Sequence, residues 1–171
     1  TPLGATCFEC SPAPEDGIFA STDYQSPKIS RLIHLFKYRF IEDLSAPLGQ
    51  LLSDSVIASD LPIPDIIVPI PLHPRRERWR GWNQANLLAQ ALANALPREI
   101  APTLAPNLLI RTKFTAPQMS LQKRNDREQN VKDAFSINNL DGNLPDIHGK
   151  RFWLVDDVSA SGSTIRECAR I

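Results

Sequence analysis

FWLVDDVSASGSTI, residues 152–165, runs four apolar side chains straight into two adjacent aspartates and then into a string of small, hydroxylated and glycine residues. An apolar run of this length without alternation reads as a strand buried on both faces, the kind that a parallel sheet covered by helices requires. In open α/β sheets ligands gather just beyond the carboxyl ends of the strands, and Asp156 and Asp157 stand at that edge. Behind them, SASGST at 159–164 offers Gly162, which can take a positive φ, and several backbone N–H groups converging where a helix is predicted to start near Ser163. Those are the requirements for wrapping a phosphate. Ser161, Ser163 and Thr164 add hydroxyl donors, whereas the two carboxylates suit sugar hydroxyls or a cation rather than the phosphate itself. A sugar phosphate with the shape of ribose 5-phosphate satisfies both halves. The plainer alternative is a strand-ending turn followed by a flexible connection. Neither a P-loop nor a G-x-G-x-x-G fingerprint occurs in the chain.

Working outward, IIVPI at 66–70 has the same buried-strand character, and NQANLLAQALANAL at 83–96 places Leu87, Leu88, Ala91, Leu92 and Ala95 on one helix face. This alternation of strand, loop and helix predicts an α/β fold built on a parallel sheet flanked by helices. A helix is predicted from Pro27, with Ile29, Leu32, Ile33 and Phe36 on its inner face, and a second over about 43–58. LLIR at 108–111 and AFSI at 134–137 are further strand candidates, and 120–131 is a polar, helical or mobile stretch. Residues 1–26 mix Pro, Gly, Ser and Asp and are expected to be irregular, with one packed domain over 27–171.

The 171 residues carry 42% apolar and 22% charged side chains, with nineteen bases balancing nineteen acids. That excludes a disordered chain and gives no net-charge reason to expect a general binder of nucleic acid or membrane surfaces. No apolar run approaches the roughly 20 residues of a membrane span, no secretory leader is visible, and three cysteines form no disulfide framework. A reducing cytoplasm is the expected compartment. Residue 1 is threonine, and residue 171 falls about two turns into the predicted last helix, so the sequence is expected to be cut from a longer one at both ends. Cys7 and Cys10 form a C-x-x-C, half of a tetrahedral zinc site, with Cys168 far away in the chain; zinc is expected only in a form extended at the N-terminus.

Arg75, Arg76, Arg78 and Arg80 crowd the loop expected after the 66–70 strand. Guanidiniums that close repel one another unless an anion or carboxylates offset them, and pyrophosphate is one such anion. The bland alternative is a solvated basic face with Glu77 as partner. Likewise, 111–131 reads either as a lid over a reacting centre or as a polar surface helix and loop.

FWLVDDVSASGST resembles the phosphoribosyl-diphosphate (PRPP) signature of type I phosphoribosyltransferases: four apolar residues, D-D, a variable pair, then T/S-T/S-G-x-T. Ala160 departs from it by losing one hydroxyl. VPIPLHPRRERWRGWNQANLLAQALA, 68–93, is similar to the ComF (competence protein F, GntX-like) branch, as are KISRLIHLFKYRF, 28–40, and RTKFTAPQMSLQKRNDREQNVKDAF, 111–135, which matches at Arg111, Thr115, Gln118, Leu121, Arg127, Asn130 and Phe135. The resemblance covers the chain from about Cys7. It implies a type I phosphoribosyltransferase-like fold lacking its C-terminal part, and an N-terminal remnant of a zinc-binding cysteine module. It implies that Asp156 and Asp157 are the catalytic pair holding the ribose hydroxyls, and that Ala160, Ser161, Gly162, Ser163 and Thr164 hold the 5-phosphate. Pro71, Arg75, Arg76, Arg80 and Gly81 would contact pyrophosphate, with unusual backbone angles expected near VPIP and Arg80-Gly81; Arg111, Gln118 and Arg127 would belong to a flexible loop. Mg²⁺ would accompany PRPP, the acceptor being an unidentified nitrogen nucleophile. The other reading is a non-catalytic PRPP or nucleotide sensor, or an accessory protein of DNA uptake that meets nucleic acid or competence proteins.

Overall fold

The computed structural model describes residues 5–6, 17–39, 41–59, 61–100, 102–115, 124–139 and 147–171. In chain order the elements are β1 (Ala5–Thr6), β2 (Phe19–Ala20), α1 (Pro27–Tyr38), a single 3-10 turn (Glu42–Leu44), α2 (Ser45–Ile57), β3 (Ile66–Pro69), α3 (Pro74–Arg80), α4 (Gln84–Ala95), β4 (Thr103–Leu104), β5 (Leu109–Arg111), α5 (Arg124–Val131), β6 (Phe135–Ile137), β7 (Phe152–Val155) and α6 (Ser163–Ala169). Cys7, Cys10, Gln118 and Leu121 lie outside the described residues.

β3 is the centre of a parallel sheet ordered β4-β3-β7, with Ile66 opposite Phe152, Val68 opposite Leu154, and Ile66 also opposite Thr103. All four residues of β3 are buried. Ile67 packs with Ile33 and Phe36 of α1, Leu48 of α2, and Leu88, Ala89 and Leu92 of α4. Ile66, Val68 and Ile70 pack on the other face with Leu109, Val131, Phe135 and Cys168. Two apolar layers, one on each side, are the physical reason the strand does not alternate. Helix α2 lies so close on α4 that Gly49 touches Ala91, with the Ala91 carbonyl carbon 2.7 Å from where a Cβ would stand.

The elements outside the central strands match expectation in part. LLIR and AFSI are strands, as expected; β5 and β6 pair with each other as a separate antiparallel ribbon, Leu109 opposite Ile137 and Arg111 opposite Phe135, a pairing that a short apolar run does not specify. The arginine segment is not a loop. Its His73 caps α3, accepting from the Arg75 N–H at 3.2 Å, Pro74 takes the first helical position, and Glu77 early with Arg78 and Arg80 late complement the helix dipole. Strand β4, two residues between Pro102 and Pro106, was not expected. Unusual backbone near Arg80-Gly81 takes the form of Gly81 at φ +85°, while VPIP has no positive φ. Among the described residues no helix is long and apolar enough to cross a membrane.

Candidate functional site

Because β3 and β7 are parallel neighbours, the segments that leave them, 70–83 and 156–162, emerge side by side at one sheet edge. The end of α1 joins them there. Lys37, in its last turn, puts its ammonium 3.0 Å from Asp157 Oδ1, with the two side chains only 15% and 9% exposed. The Asp157 N–H donates to Asp156 Oδ1 at 2.8 Å. Burial, and then the neighbouring Asp157 charge, hold the Asp156 carboxyl well above the usual carboxylate range, with Lys37 pulling the other way.

The 159–164 loop turns on Gly162, left-handed at φ 70°, which caps α6. A Cβ there would strike the Ile18 side chain and come within 2.7 Å of the Arg166 guanidinium. Arg166 Nη2 donates to the Ser161 carbonyl at 2.6 Å and reaches Glu128 at 3.4 Å. Ser161 and Ser163 hydroxyls lie 2.9 Å apart. Ser163 is buried, Thr164 is half-buried and Ala160 is exposed.

Two arginines from different elements converge on one threonine. Arg76 Nη2 donates to the Thr115 carbonyl at 2.6 Å, and Arg111 Nη2 to the Thr115 hydroxyl at 2.6 Å. Arg111, expected in a flexible loop, is instead the last residue of β5 and only 9% exposed, its guanidinium 5.0 Å from the Phe135 ring centre. Burial, then the charge of Arg76, push its pKa down to about 10, against the pull of Cys168 and Asp156. Arg76 is itself depressed by burial and by Arg80. Arg80 sits 5.7 Å over the Tyr38 ring and donates to Gln84 Oε1 at 3.2 Å. Among the described residues, Nε of Arg80, Nε of Arg111 and Nε2 of Gln84 are buried donors without a hydrogen-bond partner, which is costly unless an acceptor enters. Arg75 is exposed beside Phe114, 5.6 Å from its ring, and Arg127 lies in α5. Pro71 lines a cleft of about 140 Å³ with Asn83, Asn86 and Asn107. Cys168 is buried close by, and burial pushes its thiol up to about 12, which makes it inert.

The structure thus gathers Asp156, Asp157, the 160–164 loop, Arg76, Arg80 and Arg111 around one edge. Sequence reasoning missed Lys37 and Tyr38 as members; their only signal is a Lys-Tyr pair ending an amphipathic helix, and nothing local says which strand that helix end meets. The paired carboxyls are oxygen donors of the kind Mg²⁺ takes, and Mg²⁺ needs only one or two protein carboxylates. Among the described residues no group of three or more His, Cys, Asp or Glu is placed to hold a metal ion.

Fold and site define an α/β protein with a polar, arginine-lined crevice at the carboxyl edge of a parallel sheet. Its sequence is 34% identical to DNA utilization protein YhgH of Salmonella typhi over 171 residues, 96% of this chain and 70% of that one. YhgH of Escherichia coli K12 shows the same figures, and Competence protein F of Haemophilus influenzae is 36% identical over 147 residues, 84% of this chain and 61% of that one. The chain belongs to the ComF family. No family model matches the sequence, and no solved structure matches it.

Proposed function

We propose that the protein binds PRPP at this edge, in a type I phosphoribosyltransferase-like fold, and transfers its phosphoribosyl group to a nitrogen acceptor with release of pyrophosphate. The observation that carries this reading is the juxtaposition of the acid pair and glycine-turned loop after β7 with the arginines after β3, on adjacent parallel strands. The loop N–H groups and hydroxyls suit the 5-phosphate, the acid pair the ribose hydroxyls, and Arg76, Arg80 and Arg111 the diphosphate, whose oxygens match the buried donors. In the reaction the bond from the anomeric carbon to the diphosphate oxygen breaks with its electron pair, a carbon–nitrogen bond forms, and the acceptor loses a proton. Positive charge develops on the sugar ring, so stabilisation by fixed charges matters more than a covalent nucleophile. Asp156 and Asp157 would hold Mg²⁺ together with the ligand's oxygens, and the ion would neutralise charge on the leaving diphosphate.

Calorimetric titration of PRPP with Mg²⁺ tests this. Binding is expected to the unsubstituted chain and to vanish in Asp156→Asn/Asp157→Asn; no heat with the unsubstituted chain rejects the reading. Pyrophosphate release against a panel of nitrogen acceptors then separates an enzyme from a sensor.

A second reading has its own observation. On the outer side of α3, Trp79 is 68% exposed beside exposed Arg75 and Arg78, and Phe114 is 55% exposed, a face suited to stacking bases and pairing phosphates. Relatives are named for DNA utilization and competence. Under this reading the face binds single-stranded DNA in a salt-dependent way, and Trp79→Ala weakens binding by about tenfold, in line with about 1–3 kcal/mol per stacked base. Unchanged anisotropy with a labelled oligonucleotide in low salt rejects it.

A further inference from the structure

The last turn of α1 enters the crevice although the segment lies more than a hundred residues before the acid pair. Among the described residues Lys37 is the cation in salt-bridge contact with that pair, and Tyr38 carries Arg80 over its ring, so one helical turn braces both strand-end segments. Lys37 takes one oxygen of Asp157, and the Asp157 N–H takes one oxygen of Asp156. Two adjacent carboxyls in so little solvent repel each other, and without a fixed cation Asp157 is free to rotate away from its neighbour. An ammonium at 3.0 Å, itself nearly buried, pins Asp157 in one rotamer. A helix C-terminus also favours a cation there.

We propose that Lys37 is the positioning residue of the acid pair: by holding Asp157 as an oriented carboxylate, it makes the site prefer a sugar phosphate bearing the vicinal 2,3-diol over its 2-deoxy counterpart. The inference rests on the reading that the 160–164 loop takes the phosphate and the acid pair the hydroxyls. It differs from general charge neutralisation. Removing a cation that only offsets charge weakens every phosphorylated ligand in proportion, whereas removing one that aims a carboxylate erodes the distinction between ligands with and without the hydroxyl.

The test is calorimetric titration of ribose 5-phosphate and 2-deoxyribose 5-phosphate into the full chain and into Lys37→Met, Lys37→Gln and Lys37→Arg. The unsubstituted chain is expected to favour ribose 5-phosphate by about tenfold or more, the range of a hydrogen bond to a charged group. Lys37→Met should bring the ratio to within about threefold, and Lys37→Arg, which keeps the charge and reach, should restore most of it. Lys37→Gln carries the same comparison if the methionine variant melts too low to titrate. A ratio retained in the methionine or glutamine variant overturns the inference, even if both sugars bind more weakly. So does equal binding of the two sugars to the unsubstituted chain. If neither sugar phosphate binds the unsubstituted chain, it is the sugar-phosphate reading of the loop that fails instead, and the inference with it.

Discussion

At the scale of single residues, Asp156 and Gly162 show what the crevice costs the fold. The folded state raises the Asp156 carboxyl above its unfolded value, so it keeps a proton that the unfolded chain releases. Stability is therefore full below the unfolded carboxylate pKa and falls as pH rises from there towards the raised folded value. Asp156→Asn removes the penalty. Its melting temperature is expected to exceed that of the unsubstituted protein at neutral pH, with the gap closing as pH falls towards about 4, the unfolded value of an Asp carboxyl; parallel melting curves across that range would refute it. The two left-handed glycines make a paired comparison. Gly81, at φ +85° with open space around it, should lose about 1–2 kcal/mol on substitution by alanine, from backbone conformation alone. Gly162→Ala adds a collision with Ile18 and Arg166, so it should cost more, and Ile18→Ala in the same chain should recover part of the difference. Equal losses for the two glycines in urea titrations would show that Ile18 yields freely. The acid pair and Gly162 were readable from 152–165, because a strand, two acids and a glycine turn are local features. Lys37 was not, because its role exists only where two distant segments meet.

Among the elements, the closest approach is between α2 and α4, where Gly49 meets the Ala91 backbone. Backbone atoms of a buried helix do not give way as a side-chain tip does. Gly49→Ala is expected to destabilise by about 1–3 kcal/mol, overpacking outweighing the better helix propensity of alanine; a gain in urea midpoint would mean the helices slide apart at little cost. The periodicity of α1, α2 and α4 was legible within a residue or two because each buries one stripe against the sheet. For α3 the arginine run hid a helix whose determinants are its cap and first-turn proline rather than an apolar stripe. The β5–β6 ribbon was legible as strands but not as a pair, since partner and direction depend on which surface is left over once the central sheet is covered.

For the molecule as a whole, the crevice is assembled from α1, the β3–α4 segment, β5 and the β7–α6 segment, which are joined mainly through the shared core. A ligand touching them all binds only the folded chain. PRPP with Mg²⁺ at about a hundred times its Kd should add about 2.7 kcal/mol, which for a domain of this length is a rise in melting temperature of about 5–10 °C. An unmoved transition at saturating ligand would mean that the ligand does not select the native arrangement. By itself the sequence determined that the chain is an α/β domain with a doubly buried strand ending in two acids and a glycine turn, since burial, helix period and turn chemistry are written in neighbouring residues. Only the tertiary structure decided that Lys37 faces Asp157, that Arg76 and Arg111 share Thr115, and that β5 pairs antiparallel with β6, because contacts across dozens of residues follow from how layers stack, which no local pattern encodes.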